Sequence, residues 1–327
     1  MSEPGRMTSV PDRMGDIAGV SPDVQRGLPK QGDEKPKKEA NASLWADAMR
    51  QLVRRPIVIL SSLFLLMVAS MAILPSLWTD ENPRTPGFCD VHRSINVLGA
   101  QRSWEHPFGY DASGCDYYTE VIYGSRPSLL IAVGATLGIV IVGVVLGLLA
   151  GYFGGWVDAI ISRVLDVFYS LPFLLGAIVF LVVVRDRSPF TIMAILVILG
   201  WTPIARLMRG SVIQSKALDY VQAAKALGAG SGRLMFRHIL PNAMAPVVVY
   251  ATIALGGFVS AEATLSFLGV GLIAPDVSWG ILISVNQNRY DLFPSLLVYP
   301  CILLVGTVLS FILLGDALRD ALDPKLR

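Results

Sequence analysis

The chain has 327 residues, of which 53% are hydrophobic and 16% charged, with a net charge of +2 and a mean hydropathy of +0.57. So little charge excludes an ordinary soluble domain, in which about 25% of residues are charged, and it equally excludes wholesale disorder. No dense basic stripe for nucleic acid stands out, and three cysteines are too few for a disulfide-dense scaffold or a zinc finger, which leaves a multi-pass membrane protein.

Residues 1–42 carry Pro, Gly, Asp and Lys but few large apolar side chains, a composition that predicts a disordered tail. No small-residue cleavage site precedes the first long apolar run, so a signal peptide is not expected. Over 43–55, Leu44, Trp45, Ala48, Met49 and Leu52 share one helical face, with Arg50, Arg54 and Arg55 near its end. That pattern predicts a helix lying in the membrane interface.

Six apolar runs follow: Ile57–Leu77, Leu129–Tyr152, Ile160–Val184, Thr191–Leu207, Ala245–Leu265 and Ser295–Leu314. Each comes near the ~20 residues that carry a helix across a hydrocarbon core of ~30 Å. Their continuous apolar character excludes a closed barrel, whose strands alternate in polarity. The expected fold is therefore all-α with six transmembrane helices. A first helix occupies 56–78 and an extracytoplasmic segment 79–127. A core domain over 128–327 then holds five more helices and a loop over 208–243.

Lysine and arginine set the orientation. The first 55 residues hold ten, and the loop over 208–243 holds Arg209, Lys216, Lys225, Arg233 and Arg237 beside the single acid Asp219. The 79–127 segment holds only four. Basic loops stay inside, so both termini and the 208–243 loop are expected to be cytoplasmic.

Within the second run, Gly134 and Gly138, then Gly143, Gly147 and Gly151, recur every four residues. Small residues at that spacing let helix backbones approach closely, either as a plain packing face or as a gliding surface in a moving transporter. Ser170, Leu171 and Pro172 predict a kink in the third run. Asp166, three residues after Arg163, predicts a local ion pair. His92, His106 and His238 fall on separate loops without ligand spacing, so no metal site and no catalytic set is expected.

The loop over 208–243 carries two helical patterns. Ala223, Ala224, Leu227 and Gly228 share one mostly small face, the stretch Gly228–Gly232 ends that helix, and Arg233–Leu240 begins another. A bland linker needs neither 36 residues nor two helices, whereas a short helix with a small face suits docking into a groove on a partner.

Asp219, the pair Ala223 and Ala224, Gly228 four positions later, and the closing Leu240 and Pro241 resemble the cytoplasmic coupling motif of ABC importer permeases. Gln222 stands where that family usually has Glu. Other stretches narrow the resemblance to the C-type permease subunit of oligopeptide and dipeptide importers. They are Glu262–Gly271 with Pro275, Ser278, Trp279 and Gly280, and the terminal stretch Leu314–Arg327. His106–Gly109, Gly114, Asp116, Tyr123, Gly124, Arg126, Ser128 and Leu129 match in part, and the chain departs from the family at Tyr110 and Cys115. The resemblance runs from Trp45 to Arg327.

The resemblance implies a permease in the inner (plasma) membrane that forms a heterodimer with a homologous permease. It further implies two ABC ATPase subunits or a fused ATPase, and an extracytoplasmic peptide-binding protein. Tyr220, Gln222, Ala223, Ala224, Leu227, Gly228, Leu240 and Pro241 would couple to the ATPases, which would use ATP and Mg. Glu262, an acid toward the extracytoplasmic end of the fifth run, reads with Trp279 as a path or gate residue, or else, as the family pattern implies, as a protonated or hydrogen-bonded carboxyl that stabilises a helix break before Gly269. The chain itself has no G-x-x-x-x-G-K-[ST] loop, so no cofactor and no enzymatic activity is expected of it.

Cys89 and Cys115 both fall in the extracytoplasmic segment, where disulfides persist. They are read either as a bridge worth on the order of 3 kcal/mol or as two unpaired thiols. Two other functions stay in view. A secondary transporter driven by an ion gradient needs paired broken helices in two related halves, and an intramembrane enzyme needs converging reactive groups.

Overall fold

The computed structural model describes residues 52–89, 106–273 and 275–322. The expected tail over 1–42, the first nine residues of the expected interfacial helix over 43–55, and residues 323–327 lie outside the described residues. Among the described residues the only β pairing is an isolated bridge between Tyr110 and Asp116; everything else regular is helix.

Helix α1, Pro56–Ile73, begins with proline at its first position, where the missing N–H costs nothing. It stops short of the expected Leu77 because Leu74 precedes Pro75, and a residue before proline is pushed out of the α region. Leu60, Leu63 and Leu66 remain more than 60% exposed, an apolar flank of the kind that faces lipid rather than water.

Helix α2, Tyr117–Phe153, is longer than its apolar run. Its 37 residues span about 55 Å, well beyond a hydrocarbon core of ~30 Å. Asp116 caps it, its carboxylate accepting from Thr119 N at 2.8 Å, and Gly154 at φ +66° ends it. Glu120 and Arg126 interrupt the hydropathy of the first three turns, so the helix start was not visible as an apolar run.

The third and fourth runs are each two helices. Helix α3 (Gly155–Tyr169) and helix α4 (Phe173–Val184) meet at 82° across Ser170, Leu171 and Pro172, the kink that the proline predicts. Helix α5 (Pro189–Gly200) and helix α6 (Thr202–Lys216) meet at 45° across Trp201. Pro203 supplies the reason there, since it has no N–H for the helical ladder. Among the described residues, four unbroken helices are long and apolar enough to cross a membrane, and the spans number up to six if each bent pair is one crossing.

Because α6 continues to Lys216, the loop expected from Met208 begins instead at Ala217. Helix α7 covers Asp219–Ala226, and a helical stretch over 231–243 follows whose middle, Leu234–Ile239, is π-helical. Helices α8 (Ala245–Phe267), α9 (Trp279–Asn286) and α10 (Ser295–Leu322) complete the order.

Helix α2 is the axis of the bundle, packing most extensively on α6 and also on α5 and α8. Its glycine face is why. A methyl group on Gly147 would lie 2.5 Å from Ala205 O, and one on Gly151 would lie 2.9 Å from Arg209 O. The same face meets α5 side chains, Met193 at Gly134 and Val197 at Gly138. In lipid no hydrophobic force drives helices together, so close backbone approach along this face is what holds the bundle.

Candidate functional site

The segment after α6 presents its small face outward. Ala223, Leu227 and Gly228 are exposed, Leu227 at 89%, while Val221 is buried and anchors the other side of α7. Ala224 is half-buried against the core. Tyr220 is exposed, Leu240 half-buried and Pro241 exposed. All eight residues expected to couple to a partner thus fall in one stretch of surface helix and turn, over 220–241.

Gly228 has a conformational rather than a steric reason to be glycine. Nothing lies within 4 Å of a methyl group added there, but its φ is +83°. Ala229 N donates to Ala224 O at 3.1 Å and Gly228 N to Lys225 O at 3.0 Å, the paired bonds of a Schellman helix end. Gln222 explains itself similarly. Its Nε2 donates to Lys216 O at 2.7 Å, closing the free carbonyl end of α6, a bond that a glutamate carboxylate could not make.

Lys216 in turn donates from Nζ to Tyr152 O at 2.5 Å and Gly151 O at 3.3 Å, at the C-terminal end of α2. Hydrogen bonds therefore tie α7 to α6 and α6 to α2 in sequence. Further along, Arg209 holds Asp158 of α3 with two hydrogen bonds of 2.5 and 2.6 Å. Asp166 pairs with Arg206 of α6 at 3.1 Å, not locally as its spacing from Arg163 predicts, and Arg206 also lies 4.0 Å over the Tyr169 ring. The 82° break turns α3 across α6, which brings these groups together and takes them off a straight helix face.

A cavity of about 400 Å³ opens where the two breaks meet. Phe168, Tyr169 and Phe173 line it from the first break, Gly200 and Thr202 from the second, and Tyr250 from α8. Its wall is mainly apolar with a few hydroxyls, the usual make-up of a small-molecule site. Nothing in the sequence alone distinguished these lining residues from ordinary core, because they are brought together only by the two bends.

Glu262 and Trp279 stand elsewhere. Both are 0% exposed, and neither lines this cavity. The Glu262 carboxylate accepts from Ser128 Oγ at 2.6 Å and from Ser266 Oγ at 2.8 Å, and Ser266 Oγ accepts from Leu272 N at 3.1 Å. Trp279 Nε1 donates to Val121 O at 3.0 Å. The pair joins α2, α8, the turn after α8 and α9 in one buried network.

At the opposite end from α7, Cys89 and Cys115 form a disulfide with their Cα atoms 4.0 Å apart. Asp111 accepts from Ser113 N and Cys115 N, both at 2.8 Å; burial nonetheless pushes its carboxyl above the usual range. Asp186, in the turn between α4 and α5, is held below its ordinary value by the Thr191 hydroxyl and by Ser188 N.

Comparison with known proteins places this geometry. The family model described as binding-protein-dependent transport system inner membrane component matches residues 143–327. The chain is 35% identical over 298 residues to the oligopeptide transport system permease protein OppC of Bacillus subtilis (strain 168), covering 90% of this chain and 94% of that one. It is also 35% identical over 286 residues to the dipeptide transport system permease protein DppC of Alkalihalophilus pseudofirmus, covering 87% and 91%. To the glutathione transport system permease protein GsiD of Pectobacterium atrosepticum it is 32% identical over 283 residues, covering 86% and 92%.

Proposed function

The chain belongs to the family of binding-protein-dependent transport system inner membrane components, and from that premise we propose that the cargo it passes is an oligopeptide or dipeptide. It is a multi-pass plasma-membrane permease subunit of an ABC transport complex and is not itself catalytic. The relatives lend no support to a carrier driven by an ion gradient.

In the proposed complex this chain pairs with a homologous permease, and the cavity at the two helix breaks forms one wall of the shared path. An extracytoplasmic binding protein delivers peptide, and two ATPase subunits or a fused ATPase supply the energy from ATP and Mg. The termini and the 217–244 segment face the cytoplasm, as the distribution of basic residues supports.

The observation that carries this reading is the exposed helix α7, hydrogen-bonded through Gln222 and Lys216 to the ends of α6 and α2. Closure of an ATPase against α7 would be transmitted to α6, whose break from α5 shapes one side of the cavity, and through α6 to α2. Glutamine at 222 acts inside the chain in this scheme, while Tyr220, Ala223 and Leu227 offer the contact.

The test is co-purification with the neighbouring permease and ATPases, followed by reconstitution in liposomes. Peptide uptake is expected to require ATP and the binding protein and to ignore ionophores. Uptake that persists without ATP and collapses when an ion gradient is dissipated would overturn it.

A further inference from the structure

We propose that Glu81, His106 and Asp116 form a binding site for one transition-metal ion, best matched by zinc, at the end of the bundle opposite α7. One ligand atom from each residue lies within 4.8 Å of the other two. His106 Nδ1 stands 3.0 Å from Asp116 Oδ1. Two ligands on a tetrahedral ion with bonds of about 2 Å lie about 3.3 Å apart, so the pair needs little movement to share one.

Glu81 supplies the observation that calls for a cation. Its Oε2 is enclosed and has no hydrogen-bond partner among the described residues. A carboxylate oxygen withdrawn from water without a donor is costly, and an ion held between the three side chains would offset that cost. Asp116 is 1% exposed and held by Thr119 N through its other oxygen, which leaves Oδ1 aimed at His106. The His106 ring rests against Tyr110, with centroids 4.9 Å apart.

The site is assembled without the ion. Thr79 Oγ1 meets Thr119 Oγ1 at 2.6 Å, and the Cys89–Cys115 disulfide closes the other side, so the chain after α1 is already fastened to the start of α2. One imidazole and two carboxylates are a three-ligand donor set that suits zinc. Calcium takes 6–8 oxygens, and magnesium keeps its waters in a strict octahedron; neither is matched by a nitrogen and two oxygens. The ligands lie 25 and 10 residues apart in sequence, which no metal-binding spacing would reveal.

The test uses the full-length chain, purified without a histidine tag or reductant and stripped with EDTA. Zinc chloride is then added, with retained metal and the thermal midpoint as readouts. Wild type is expected to retain one zinc per chain and to gain a higher midpoint, while calcium chloride leaves it unmoved.

Glu81→Gln removes a charge whose Oε2 has no partner, so the variant should match wild type without metal yet bind zinc at least tenfold more weakly. His106→Gln should lose the zinc response as well. Equal retention by wild type and Glu81→Gln, no retention by wild type, or a midpoint that responds to calcium rather than zinc would each overturn the assignment.

Discussion

Replacing Glu262 separates a packing role from a transport role. In Glu262→Ala the hydroxyls of Ser128 and Ser266 lose their shared acceptor in a fully buried position. A buried polar group left unsatisfied costs about 1–3 kcal/mol, so the two together predict a loss of roughly 2–6 kcal/mol, before any cost of the void. Glu262→Gln keeps the volume and one carbonyl oxygen, and its amide can donate to the serine that loses its acceptor; the expected cost is within about 1 kcal/mol. Thermal unfolding of the purified complex and peptide uptake in liposomes are measured on both variants. The alanine variant should unfold earlier and transport poorly in proportion, whereas the glutamine variant should keep both properties. A glutamine variant with normal unfolding and abolished uptake would refute the packing role and make the carboxylate charge itself part of the path.

Gly228→Glu places an ordinary residue at φ +83°, costing about 1–2 kcal/mol, and is expected to uncouple ATP hydrolysis from uptake, while Gly228→Asn, which tolerates that conformation, retains coupling. Unchanged uptake per ATP in both would remove the segment from the mechanism. Gly147→Val pushes α2 away from the Ala205 carbonyl and should cost about 3 kcal/mol or more, read as loss of folded protein in size-exclusion profiles. Cys115→Ser opens a loop whose ends are 26 residues apart, with an expected loss of about 3 kcal/mol and faster proteolysis of the segment between α1 and α2. Alkylation before reduction gives the direct reading: full labelling of both cysteines in native membranes would show that no bridge exists.

The helix ends show where local sequence was informative. The Ser170–Pro172 stretch and Gly228 act on the backbone at their own positions, through a missing N–H or a left-handed φ, so the break or turn is visible without the rest of the fold; Pro75 acts locally too, but the apolar run read straight through it. Helix α2 shows the opposite. Its first three turns contain Glu120 and Arg126 and read as loop until the packing of Tyr117 and Val121 against Leu282 and Leu296 is known. Likewise α6 runs nine residues past Leu207 because Arg209 finds Asp158, 51 positions away, and Lys216 finds the end of α2.

Apolar length, basic-residue distribution and a few motifs, by themselves, determined that this is a multi-pass helical permease of a known transport family. Each of those signals is carried by neighbouring residues and by transfer from water to lipid, which depends on composition more than on partners. Which glycine face meets which helix, where the cavity opens, that Glu262 is packed and that Gln222 closes α6 were decided only by the tertiary structure. Apart from the six-residue reach of Gln222 to Lys216, these are contacts between residues tens to more than a hundred positions apart. A proline announces that a helix will bend, but the direction of the bend, and so what it brings together, comes from the surfaces it packs against.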